Sequence, residues 1–233
     1  MTIDRRTAIA TGLIAGGVLS PKLTFAQAPG LSTAASEFQS KPLPFAPTSV
    51  AGLSADLLTS HHDNNYMGAV KRLNAIRAEF RALDAASAPG FRINGLKREE
   101  LLAWNSMILH ELYFAGLSGS RRPAGRLALA IEQDFGSHDR WATEFAAMGK
   151  ALGGGSGWVL LVWSARDEKL TNQWAADHTM VLAGGVPLVA LDMYEHAYAI
   201  DYGAKAADYV DAYMKALSWD AATHQFERLR GGA

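Results

Sequence analysis

The stretch LDMYEHAYAIDYG, residues 191–203, constrains this chain more than any other. It closes an apolar run and sets Asp192, Glu195 and His196 among side chains of core character. Burying a carboxylate or an imidazole is costly unless a partner compensates it. Any fold for this sequence must therefore bring such partners to the end of the run. The chain has no cysteine, which removes disulfides, thiolate zinc sites, iron–sulfur clusters and cysteine nucleophiles together. A metal ion held here would take only nitrogen and oxygen ligands.

Periodicity supplies the elements. A helix is expected from Ser54, an N-cap with Asp56 in the first turn, to about Ala86. Leu57, His61, Leu73, Ile76, Phe80 and Leu83 fall near one stripe of it. SAPGFRING breaks the pattern, and a second helix follows from about Lys97 to Gly116, with Ala103, Met107, His110 and Phe114 on one face. Two long helices and a short loop suggest an antiparallel hairpin. RLALAIEQDFG and DRWATEFAAMGKAL read as two further helices, stopped at Gly136 and Gly153. The period then changes. GWVLLVWSARDEKLTNQWAAD reads as two strands around a polar turn, and VPLVALDM as a third strand apolar enough to be central. The remainder is helical, so an all-helical half precedes an α/β half.

His61 and His110 thus lie on apolar helical faces, and Asp192 ends the third strand with His196 four residues later. A lone histidine on such a face is more often a hydrogen-bonded core residue than a ligand, and periodicity does not show that the four converge. Three imidazoles and one carboxylate on inward faces nevertheless make a metal site the economical explanation.

The N-terminus reads as a separate segment. MTIDRRTAIATGLIAGGVLS has paired arginines, Arg5 and Arg6, then an apolar stretch too short and Gly-rich for a good membrane span. TFAQAPG offers cleavage after Ala28 or Ala26. Residues 1–28 are read as an export signal of twin-arginine type, with an ordinary secretory signal or an uncleaved anchor as alternatives. Residues 29–44 read as a linker, 45–119 as a helical hairpin domain and 120–230 as a C-terminal α/β domain. The expected location is periplasmic or otherwise exported, with no stable membrane association after signal removal. A formal net charge of −1 argues against a general nucleic-acid or anionic-membrane binder.

LDMYEHAYAIDY closely resembles the C-terminal metal motif of the iron/manganese superoxide dismutases. LPFAP resembles the family's opening, GLSADLLTSHH its first ligand helix, and MILHELYF its second. DFGSHDRWATEF and GGGSGWVLLV match connecting segments, so the resemblance covers roughly residues 43–226. It implies an α+β fold: an N-terminal antiparallel helical hairpin, then an α/β domain with a three-stranded antiparallel sheet. It implies one iron or manganese ion per chain, held by His61, His110, Asp192 and His196 with a bound water or hydroxide. The implied activity disproportionates superoxide to oxygen and hydrogen peroxide. His178 resembles the family's histidine variant beside the bound solvent, a catalytic role; a surface turn is its bland alternative. Trp158 matches a tryptophan lining the pocket, and Phe114 and Tyr194 stand where tryptophans are common. Glu195 resembles the residue that reaches across a homodimer to the other chain's ligand histidine.

Three positions depart from the family pattern. Aligned on His61, the gateway tyrosine falls at Ala69, the histidine before it at Asn65, and the tyrosine that pairs with that histidine across the dimer at Ala199. Tyr66 is near but is expected to point elsewhere. A wider or rearranged channel and impaired proton delivery are expected. The alternative function is therefore a metal-binding protein of the family fold with weak or lost dismutase activity. His62 is expected in solvent, about a quarter turn from His61. His138 and His224 are expected to be structural or surface residues, and GGGSG precedes a strand, which excludes a phosphate loop.

Overall fold

The structure is a computed structural model and describes residues 37–117 and 119–231. The segment read as an export signal lies outside the described residues.

Ser54 starts the first helix as expected: its Oγ accepts from the Leu57 N–H at 3.0 Å, and Asp56 faces the positive end of the helix dipole. Helix α1 (Ala55–Ser60) passes without a break into a π-helical turn, His61–Tyr66, and then into α2 (Met67–Ala82). In that turn the Met67 N–H reaches back to His62 O, one residue further than an α-helix allows. Helix α3 (Gly90–Ala115) returns along α2. It begins before the expected Lys97. Pro89 caps it from outside, and contacts with α2 hold its first turns: Arg92 pairs with Glu79, and the Lys97 ammonium lies 5.0 Å from the Phe80 ring. Those contacts offset the poor helix propensity of the two glycines.

Residues 38–45 lie along this hairpin as a strap. The Phe38 N–H donates to Asn74 Oδ1, the Asn74 amide returns a bond to Phe38 O, and the Lys41 N–H donates to the Tyr66 hydroxyl at 2.8 Å.

Helices α4 (Gly125–Phe135) and α5 (His138–Ala151) meet at Gly136, which takes the left-handed φ of 83° that ends the first, and Ser137 caps the second. Strands β1 (Trp158–Ser164), β2 (Lys169–Ala175) and β3 (Gly185–Asp192) form an antiparallel sheet in the order β2-β1-β3. The central strand is therefore β1, and the expectation that VPLVALDM is central is corrected. β3 is an edge strand, which is where Pro187 is tolerated, at a register shift opposite Leu161 and Val162. Its apolar character comes from α3 and the C-terminal helices packed on it. Short helix α6 (Ala199–Tyr202), α7 (Ala206–Ala216) and α8 (Asp220–Gly231) complete the chain, after a 3₁₀ turn at Glu195–Ala197. One core joins the hairpin to the sheet, from Leu57 and Leu73 through Trp158 and Leu191 to Tyr209 and Trp219. No helix among the described residues is long and apolar enough to cross a membrane.

The junction of β1 with the end of β3 depends on Gly157. Its φ is 132°, and an added Cβ would stand 2.1 Å from Ala175 O. Its carbonyl accepts from the Met193 N–H at 2.9 Å, next to Asp192. Gly157→Ala is expected to cost about 1–3 kcal/mol of backbone strain, read as a lower urea midpoint.

Candidate metal centre

Four elements deliver one side chain each. His61 opens the π-helical turn, His110 lies near the end of α3, Asp192 ends β3 opposite Trp158 of β1, and His196 sits in the 3₁₀ turn. Their potential ligand atoms all lie within 4.8 Å of one another. Asp192 Oδ2 is 3.1 Å from His61 Nε2, 3.2 Å from His196 Nε2 and 3.6 Å from His110 Nε2. Asp192, His61 and His110 are buried, and the His196 side chain is 28% exposed.

The protonation states suit a cation. Burial holds the imidazoles of His61 and His110 below their ordinary value, His110 at about 3, so both are neutral near pH 7. Burial alone would raise the Asp192 carboxyl, but its hydrogen bonds to His196 and His61 outweigh that and hold it well below the usual carboxylate range. Asp192 Oδ1 also accepts from the Tyr194 N–H at 2.8 Å. His110 Nδ1–H donates to Ser106 O at 2.6 Å, which leaves a lone pair on Nε2. That Nε2 is buried with no hydrogen-bond partner among the described residues. An ionised buried carboxylate, neutral imidazoles and an orphaned ring nitrogen at one point fit a divalent or trivalent ion.

Aromatic rings close the site. The His61 ring packs against Tyr113 at 4.8 Å and Phe114 at 5.2 Å. Trp158 lies 5.3 Å from the His110 ring and 5.6 Å from His178. Tyr194 stacks on both His178 and His196, and its hydroxyl is 3.2 Å from His178 Nδ1. Burial, reinforced by the Asp192 charge, pushes the Tyr194 phenol up to about 12. The other nitrogen of His178, Nε2, is buried and has no partner among the described residues. His178 lies in the turn after β2, half-buried, with its ring 6.2 Å from that of His110.

A cavity of about 310 Å³ opens beside His178, between Asn64, Asn65, Ala69, Arg72 and Ser106. Asn65 and Ala69 both stand in its wall, whereas Ala199 is exposed on α6. Tyr66 is turned away: its ring is buried, and its hydroxyl donates to Glu111 at 3.1 Å. The expectation that His62 is solvated is corrected. His62 is buried, with Nδ1 at 2.7 Å from Asp63 Oδ1 and Nε2 at 2.8 Å from Lys41 O. The strap covers it, which a wheel drawn on an isolated helix does not show. His138 is half-buried between Trp141 and Trp219, and His224 is exposed. Glu195 is exposed at the start of the 3₁₀ turn. Sequence reasoning missed Ser106, Tyr113 and Arg72. Ser106 lies one helical turn before His110 and Tyr113 one turn after it, a spacing that could have flagged both.

Residues 123–225 match the family described as iron/manganese superoxide dismutases, C-terminal domain. An iron superoxide dismutase of Cupriavidus metallidurans is 60% identical over 189 residues, 81% of this chain and 96% of that protein. A manganese superoxide dismutase of Halobacterium salinarum is 34% identical over 197 residues, 83% of this chain and 96% of that protein. The chain belongs to the iron/manganese superoxide dismutases. An iron superoxide dismutase of Aquifex pyrophilus is 32% identical over 192 residues, 78% of this chain and 88% of that protein. The described sheet and helices agree with the α+β fold of the family. Asp192, His196, Trp158 and His178 fall inside the matched stretch, and His61 and His110 precede it.

His110→Ala is expected to lower the metal bound per chain, measured by elemental analysis after dialysis. The metal-free protein should lose stability on acidification. His110 takes its proton at about 3 when folded, against the ordinary 6.5. Between those values the unfolded chain holds the extra proton, so stability is full above the window and falls as the pH drops through it. Urea midpoints taken stepwise across the window should decrease.

Proposed function

We propose that this protein is an exported superoxide dismutase that disproportionates superoxide to oxygen and hydrogen peroxide at a single iron or manganese ion. The observation that carries this reading is the meeting of His61, His110, Asp192 and His196 in one buried site of a chain of this family. Nε2 of the three histidines and Oδ2 of Asp192 are the atoms that would hold the ion. When bound, it supplies one-electron exchange with superoxide; zinc would fit the donors but has no redox cycle. Relatives named for iron and for manganese are both similar to this chain, and these donors suit either.

The chain's own residues do the rest. One carboxylate offsets only part of a divalent or trivalent charge, so the site attracts an anion. The cavity gives the anion a path, with Arg72 in its wall, whose guanidinium pairs with Glu99. Tyr194 remains a phenol at neutral pH and serves as donor to His178 Nδ1, which puts the ring proton on Nε2. His178 then holds a proton toward the site for transfer to the reduced product. Asn65 and Ala69 supply no phenol or imidazole in the cavity wall, so proton delivery falls to His178 and to water. That favours slower turnover than a gateway tyrosine would give. It also keeps a second reading open, a metal-binding protein with weak dismutase activity. Glu195 would pair with His196 of a second copy, so the dimer contact lies around the 3₁₀ turn and the exposed Ile200. Residues 1–28 would direct export to the periplasm.

Superoxide decay per bound ion, after separate iron and manganese reconstitution, tests the reading. Decay well above that of buffer is expected with at least one metal; buffer-level decay at full occupancy selects the second reading. Glu195→Ala should shift the protein toward monomer in sedimentation.

A further inference from the structure

The side of the metal centre away from the cavity is built of tyrosines that dismutation does not use. Tyr113 lies 4.8 Å from the His61 ring and is fully buried. Its hydroxyl is 3.4 Å from that of Tyr209, which donates to Asp192 O at 2.8 Å. Tyr209 in turn lies 6.1 Å from Tyr202. Tyr202 is partly exposed and lines a surface cavity of about 440 Å³ with Gly52, Asp208 and Lys215. A continuous file of phenols thus joins a proposed ligand histidine to the surface. Phenols are among the most easily oxidised side chains, and electron transfer weakens steeply with distance. Rings this close exchange electrons stepwise far faster than a single jump across the same span.

We propose that Tyr113, Tyr209 and Tyr202 relay single oxidising equivalents from the metal centre to the surface, giving a one-electron peroxidase activity toward small phenolic reductants at the Tyr202 cavity. The proposal rests on the dismutase reading, which supplies hydrogen peroxide as product and a reducible ion. Peroxide takes two electrons and two protons to become two waters. One electron would come from the reduced ion held by His61, His110, Asp192 and His196, and a further superoxide, becoming oxygen, would restore it. The other comes from Tyr202 through Tyr209 and Tyr113, and Tyr202 releases its phenolic proton as it loses the electron. Solvent supplies the remaining proton. A phenolic reductant then gives a hydrogen atom to the Tyr202 radical, restoring the tyrosine and becoming a phenoxyl radical itself. The Tyr113–Tyr209 oxygen pair lets the proton shift with the electron inside the core.

The metal-loaded, reduced protein is mixed with hydrogen peroxide and a nitrone spin trap, and the adduct is located by peptide mass spectrometry, with freeze-quench paramagnetic resonance for the radical. A tyrosyl signal and an adduct on Tyr202 are expected. Tyr209→Phe should lower the Tyr202 adduct severalfold and move oxidation back toward Tyr113 and His61. Tyr113→Phe breaks the same file without removing the bond to Asp192 O and should also lower the Tyr202 adduct severalfold, which covers a Tyr209→Phe protein that folds poorly. Tyr202→Phe should abolish peroxide-dependent oxidation of a phenolic dye and leave superoxide decay unchanged. An unlabelled Tyr202 in the unmodified protein, or a label that persists in both buried variants, overturns the relay. Superoxide decay on the same samples separates the two readings: decay without label sinks only the relay, and label without decay sinks only the dismutase.

Discussion

The buried charge of Asp192 is the constraint around which the fold is arranged. A carboxylate with no solvent exposure must be compensated at once by several groups. Here the compensation comes from three imidazoles and a backbone N–H, carried by the first helix, α3, and the turn after β3. None of these is local except His196 and Tyr194. The hairpin and the sheet therefore share an electrostatic reason to meet at the end of β3, beyond their common apolar core. Removing a bound ion would leave the carboxylate with hydrogen bonds alone, which couples metal loading to the stability of the joint between the two halves.

Burial decides how the imidazoles of His61 and His110 act. In water each would be half protonated near its ordinary value and would repel a cation when charged. Inside the aromatic box of Tyr113, Phe114 and Trp158 the neutral form of His61 and His110 is favoured, and their Nε2 atoms face the carboxylate. Ser106 then fixes which nitrogen of His110 is free. The π-helical turn has a comparable role for His61. It widens the helix where the imidazole leaves it, and the strap over His62 and Tyr66 closes the opposite side.

Much of this was legible from periodicity, and the limits were physical. An apolar stripe identifies which histidines face inward, so His61 and His110 could be named as candidates, and the strand end identified Asp192. That they meet depends on pairs as far apart as 131 positions in sequence, which no local pattern encodes. The resemblance to a known family supplied the convergence that spacing lacked. Two expectations failed for identifiable reasons. Apolarity reports burial and says nothing about which edges are hydrogen-bonded, so β3 looked central although helices, not strands, cover its far side. A helical wheel assumes a regular, isolated helix, so His62 looked solvated although a strap lies over it.

The centre has two unlike sides, and this bears on how an anion can reach it. Toward Asn65, Ala69, Arg72 and His178 the wall is polar and opens to a cavity. Toward Tyr113 and Tyr209 it is fully buried and apolar apart from their hydroxyls. Charge is weakly screened on the buried side and strongly screened on the open one. An approaching anion would meet its lowest desolvation cost along the cavity, whose wall includes Arg72 and His178. Asn65 and Ala69 line that path and bring to it one amide and one methyl group.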